Sequence, residues 1–264
     1  MDLLKIFFSI LLFYNIKICL SKCSTDDCLW PQPQYALKFE GLNFLAESKF
    51  DMSSNLPDGK IVSKTMERYK ALIFNHPVKL RKQVERQMED TMNPILSTLC
   101  IYVKGYCEEW PYLGMDEVYH LQVNTINNPN CIHLESPSVW GIIRGLETFS
   151  QLVFLTDKDK FAVRSQCITD FPRFGHRGLL IDTSLHYIPM TTILEALDAM
   201  SYNKMNVFNW HIVDDNSFPY QSVNYFPCMS QCGAYKLSTH IYTPSDVSTI
   251  VPHLQRIVVV RFKH

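Results

Sequence analysis

The strongest constraint on this chain lies in positions 177–264, where short apolar runs alternate with amphipathic stretches. Gly178-Leu179-Leu180-Ile181 reads as a short buried strand ending at Asp182. Thr192-x-x-Glu195 reads as a capping box for a helix with Ile193, Leu197 and Met200 on its inner stripe. Asn206 to Val213 reads as a second strand ending at Asp214-Asp215, Thr243-x-x-Asp246 starts another helix, and Arg256 to Phe262 reads as a third strand. Strand, helix, strand in succession requires parallel strands, because a parallel pair needs a crossover between its members. Barrel enzymes place their chemistry at the C-terminal ends of such strands. A closed eightfold barrel takes about 250 residues. The expectation is therefore an incomplete (β/α)8 barrel of about three βα units over 170–264, truncated at its C-terminus. It should carry an open edge and an uncovered apolar face.

Upstream, residues 29–162 mix short strands with two helices and read as an α+β domain, making the whole chain α/β. Ser63 to Phe74 reads as a helix with Met66, Tyr69 and Ile73 on one face. Leu99 to Val103 and Tyr119 to Val123 read as strands, separated by a loop with Gly105, Pro111 and Gly114. Ser138 to Val153 reads as a helix in which Ile142, Leu146, Phe149 and Val153 face inward while Arg144, Glu147 and Gln151 face outward. The charged stretch Lys79 to Asp90 mixes both signs, as a solvated helix or loop does.

The chain opens with Lys5, the apolar run Ile6 to Tyr14 and the small-residue site Cys19-Leu20-Ser21, the layout of a secretory signal over 1–21. No later segment is apolar enough for a membrane span, so a lumenal or exported protein is expected. Removing the signal would leave eight of the nine cysteines, an even number compatible with disulfides. Cys100 with Cys107, and Cys228 with Cys232, are close enough in sequence to close small loops. The balance of 25 Lys and Arg against 26 Asp and Glu gives a net charge of −1, which argues against a nucleic-acid partner. His211 beside the Asp pair has no second nitrogen or thiolate in register, so a hydrogen-bonded strand histidine is the better reading than a zinc ligand.

Several segments resemble the β-N-acetylhexosaminidases of glycoside hydrolase family 20, of the animal lysosomal type. They include Leu29-Trp30-Pro31-Gln32-Pro33, Val139-Trp140-Gly141, Arg144-Gly145-Leu146-Glu147-Thr148-Phe149-Ser150-Gln151-Leu152 and Asp170-Phe171-Pro172-Arg173-Phe174. His176-Arg177-Gly178-Leu179-Leu180, Asp182-Thr183-Ser184, Tyr202-Asn203-Lys204, Asn206-Val207-Phe208, Trp210-His211 to Asp215, Phe218-Pro219 and Thr239-His240-Ile241-Tyr242-Thr243 follow in order.

The resemblance implies a small α+β domain before a catalytic (β/α)8 barrel. It also implies removal of terminal β-linked N-acetylhexosamine from glycoconjugates, by retaining hydrolysis in which the sugar's own acetamido group attacks. No cofactor is implied. Implied partners are N-acetylhexosamine-terminated glycans and a homo- or heterodimer with a hexosaminidase subunit; the implied location is lysosomal or extracellular. Asp214 matches an acidic residue that supports a catalytic His. The family's general acid Glu and its Asp partner match no position of this chain. Leu185 stands where the family carries an Arg that binds sugar hydroxyls, and Asn209 where it often carries His. The family cysteine that pairs with the one at Cys107 has no counterpart near Lys60, leaving Cys107 free or paired with Cys100. Pro252 falls inside the last helix. The resulting expectation is a chain inactive alone. The alternative is a secreted non-catalytic pseudoenzyme or binding subunit that pairs with a full-length hexosaminidase.

Overall fold

The computed structural model describes residues 29–56, 59–75, 78–79, 94–105, 108–126, 128–156, 158–222, 226–255 and 259–263. The expected signal segment, positions 80–90 of the charged stretch, Cys107 and positions 256–258 lie outside the described residues.

The first unit is a nine-stranded mixed sheet. Its strands are β1 (Tyr35–Leu45), β2 (Asp51–Ser54), β3 (Val78–Lys79), β4 (Ile95–Leu96), β5 (Thr98–Val103), β6 (Tyr119–Thr125), β7 (Asn128–Ser136), β8 (Phe154–Leu155) and β9 (Phe161–Asp170). They run in the order β2-β5-β7-β6-β9-β1-β4, with β8 joining β3 to β9. Tyr119, Leu121, Val123 and Thr125 alternate inward along β6, the period-2 pattern of a sheet covered on one face. Helices α1 (Lys60–Asn75) and α2 (Val139–Leu152) form that cover. Ser138 caps α2 by accepting from the backbone of Trp140 and Gly141. Gly141 and Gly145 let α2 approach closely, since a Cβ at either would strike Ser136 and Val118 or Leu134 and Tyr119. Strand β9 continues to Asp170, so the sheet runs past the expected domain end at 162.

Arg144 and Glu147 do not face water, contrary to the outward reading of α2; both are at most 4% exposed. Helical spacing shows which residues oppose the apolar stripe, but not what packs on that opposite side. Here the second unit and α1 cover it. Arg144 Nε lies 2.7 Å from Glu117, and its guanidinium also donates to the Met205 carbonyl. Glu147 accepts from the Tyr69 hydroxyl at 3.0 Å and from Gln151 at 2.9 Å.

The second unit consists of β10 (Gly178–Asp182), α3 (Met190–Tyr202), β11 (Val207–His211), α4 (Pro227–Gly233), α5 (Pro244–Gln255) and β12 (Val259–Lys263). Its strands are parallel in the order β10-β11-β12. Leu179, Ile181, Phe208 and Trp210 pack with Ile193, Leu197, Met200 and Ile250 of the helices. The other face is open: Gly178 is exposed and Leu180 is 56% exposed, so β10 is not the fully buried strand its composition indicates.

Two local readings are corrected. The helix α3 starts at Met190 behind Pro189, without a side-chain cap, which puts Thr192 inside the first turn instead of at its boundary. Strand β11 stops at His211, so Asp214 and Asp215 belong to a turn beyond it. The second capping box forms as read: Thr243 Oγ1 accepts from the Asp246 backbone, and Asp246 Oδ2 accepts from the Thr243 backbone and hydroxyl. Backbone α5 runs through Pro252, at a cost of about 3 kcal/mol for a helix-interior proline.

Buried charge joins the units. Glu117 accepts from Arg144 at 2.7 Å, Arg177 at 2.5 Å and Asn206 at 3.2 Å. Lys204 Nζ donates to Tyr119, Thr148 and Asp170 within 3.0 Å. Burial pulls the Lys204 ammonium and the Arg177 guanidinium below their usual ranges, against the pull of Asp170 and Glu117. Trp30 adds a strap, its main chain bonded to Gln151 of α2 and its indole to Asn203 after α3.

Candidate functional site

Parallel register aligns the ends of the three strands, with Asp182 opposite His211 and His211 opposite Lys263. Asp182 organises the loop that follows. Its Oδ1 accepts from the Ser184 hydroxyl at 2.7 Å, the Ser184 backbone at 2.9 Å and the Leu185 backbone at 3.4 Å. Burial works against the charged carboxylate, but these donors and the neighbouring His211 hold its pKa below the ordinary carboxylate value. Asp182 is thus a fixed anion whose lone pairs point into the loop carrying Leu185.

Behind the strand ends the framework is aromatic. Trp210 is fully buried and donates through its indole to Thr183 at 2.9 Å, while the Thr183 backbone donates to the His211 carbonyl. Tyr242 stacks on Tyr187 at 4.8 Å between centroids and meets Trp210 edge-on at 5.1 Å. Its hydroxyl donates to the Ile188 carbonyl and accepts from the Ile188 backbone, and burial raises its pKa to about 12. These contacts tie the loop after β10 to the segment that enters α5.

The two residues singled out in the sequence sit at this end of the sheet but do not meet. Leu185 is 58% exposed beside Asp182 and offers no polar atom beyond its main chain. Asp214 is exposed in a bridge with Ser217, and its carboxylate accepts from the Asp215 backbone at 2.8 Å. Asp214 and Leu185 share no hydrogen bond among the described residues. Asp182 and His211 are the pair that the register brings together; the sequence marked Asp182 as a strand end but placed His211 inside a strand running on to Val213. Cys228 and Cys232, read as able to close a small loop, are free thiols one turn apart on α4. Helical neighbours at that spacing hold their Cβ atoms about 5–6 Å apart, whereas a disulfide needs about 3.8 Å.

A cavity of about 190 Å³ lies instead at the junction of the units, lined by Gln34, Phe171, Arg173 and Arg177 among others. Its buried cations are already committed to Glu117 and Asp170. The strand ends therefore remain the better place for ligand chemistry.

Comparison with known proteins agrees with this layout. Residues 29–152 match the model "beta-acetyl hexosaminidase like", and residues 174–260 match "Glycosyl hydrolase family 20, catalytic domain". The chain is 40% identical over 252 residues to beta-hexosaminidase subunit alpha of Bos taurus, covering 91% of this chain and 45% of that one. It is 40% identical over 230 residues to subunit beta of Homo sapiens, covering 85% of this chain and 40% of that one. Among solved structures, the chitobiase of Flavobacterium johnsoniae superposes with a TM-score of 0.71 at 27% identity, over 91% of this chain and 35% of that one. The chain spans less than half the length of the curated relatives it matches.

Proposed function

The chain belongs to glycosyl hydrolase family 20, and from that premise we propose that it is a β-N-acetylhexosaminidase-type protein built to hold a terminal N-acetylhexosamine at its strand ends. The carrying observation is the register that places Asp182 and His211 side by side above a parallel sheet, with the Leu185 loop anchored to Asp182. In this reading β10, β11 and β12 are the opening strands of a (β/α)8 barrel, and 29–170 is the accessory sheet domain. The proposed route is secretory, toward a lysosomal or extracellular site.

Hydrolysis in the family is substrate-assisted: the acetamido oxygen attacks while a Glu protonates the leaving oxygen. What these residues supply is support. Asp182 fixes the loop beside the sugar site, and Asp214 fixes the turn that the family uses to steady a catalytic His. Leu185 removes a charged hydrogen-bond donor from the sugar site, so affinity is low. Residues 1–264 offer no match to the general acid Glu, so by themselves they bind weakly and do not turn over.

Incubation of the purified 264-residue protein with a chromogenic β-N-acetylglucosaminide is expected to release no chromophore. Turnover that disappears in Asp214→Asn would overturn the inactive reading. In Leu185→Arg, binding of N-acetylglucosamine measured by ligand-observed NMR is expected to tighten about tenfold or more, the effect of one hydrogen bond from a charged donor. Unchanged affinity would show that the Leu185 loop does not face the sugar. The uncovered face around Leu180 favours a second reading, a non-catalytic subunit seated against a full-length hexosaminidase. Co-purification of the two chains is its test.

A further inference from the structure

The geometry points to Cys228 and Cys232 as a two-thiolate site for a thiophilic, two-coordinate cation of the Cu(I) or Hg(II) class. Both thiols are exposed and free on α4. They are four residues apart, so the same helix face presents them one above the other. Their Cβ spacing of about 5–6 Å is too wide for a disulfide, but a linear S–metal–S unit spans about 4.6 Å, twice a metal–thiolate bond of about 2.3 Å.

Donor number selects the ion. Among the described residues no group of three or more His, Cys, Asp or Glu is arranged to hold a metal. A tetrahedral zinc site is therefore not assembled here, whereas a soft ion needs only the two sulfurs. Each thiol gives up its proton on binding, so two protons leave for every divalent or monovalent ion bridged.

The helix is a fixed platform. Ser230, between the two cysteines, is buried at 3% exposure. At the C-terminal end the Gly233 carbonyl accepts from the Phe218 backbone at 2.9 Å and from the Ser217 hydroxyl. Ser217 is bonded in turn to Asp214, so an ion held on α4 sits next to the turn at the sheet's mouth. The proposal is independent of the glycosidase reading.

Mercury(II) titration of the reduced full chain, followed by native mass spectrometry, tests it. With an excess of a competing monothiol present, Cys228→Ser and Cys232→Ser should each hold one ion fewer than the unaltered chain, and the double variant should hold the same one ion fewer. Loss of two ions in the double variant means two independent thiols and overturns the shared site, as does no loss in any variant. Isolation of the unaltered chain with a 228–232 disulfide overturns it too. Proton release measured at constant pH is a second reading: the ion held by the unaltered chain but not by the double variant should account for two protons, and one proton would overturn the bridge.

Discussion

Single side chains decide whether the two units hold together. Glu117 is 3% exposed and is the shared acceptor of Arg144, Arg177 and Asn206. Removing one partner of a buried ion pair leaves an uncompensated charge, which is worse than never having built the pair. Glu117→Gln is therefore expected to lower stability by about 3 kcal/mol in urea unfolding, and a change below about 1 kcal/mol would mean the cluster is solvated. Glu147 offers a pH test. Burial raises its pKa above the ordinary value despite the hydrogen bonds from Gln151 and Tyr69. An acid raised in the folded state contributes stability below its unfolded pKa, near 4.5, and loses it as pH climbs through the folded value. Glu147→Gln has no such titration. The melting temperature of the variant minus that of the unaltered chain should be larger at pH 7 than at pH 5, and equal differences would place Glu147 in water.

At the level of elements, caps separate what a sequence states from what it leaves open. The box at Thr243 and Asp246 forms reciprocally, so Thr243→Ala should cost about 1 kcal/mol. Thr192 has the same spacing to Glu195 but lies within α3, where the preceding Pro189 sets the boundary. Thr192→Ala is accordingly expected to change stability by less than about 0.5 kcal/mol, and paired chemical denaturation curves distinguish the two positions. The strand β6 was readable because its alternation records one covered face. Helix α2 was readable in position but not in its polar side, since Arg144 and Glu147 answer to partners distant in sequence. At the candidate site, Asp214 and Leu185 lie beyond the C-terminal ends of β11 and β10. The grip of Asp182 on the following loop was not foreseen, because it depends on where β10 stops and how the main chain turns at Ser184.

For the whole molecule, the junction matters more than either core alone. Lys204 reaches from the turn after α3 into Tyr119, Thr148 and Asp170 of the sheet unit. Two cores bridged by such a network should unfold as one. Calorimetry of the unaltered chain is expected to give a single transition, and Lys204→Met, which removes the cation beside Asp170 and leaves its carboxylate only the Tyr119 hydroxyl and the Gln34 backbone, should resolve it into two. A single transition in both proteins would mean that apolar contact alone couples the units.

The strap at Trp30 has a consequence in time. Its indole meets Asn203 across 173 positions of sequence. During vectorial synthesis the tryptophan leaves the ribosome 173 residues ahead of its distant acceptor. A nascent chain halted anywhere short of that residue keeps its leading end unlatched, and a protease added to stalled ribosomes would find there a door that the finished protein has shut.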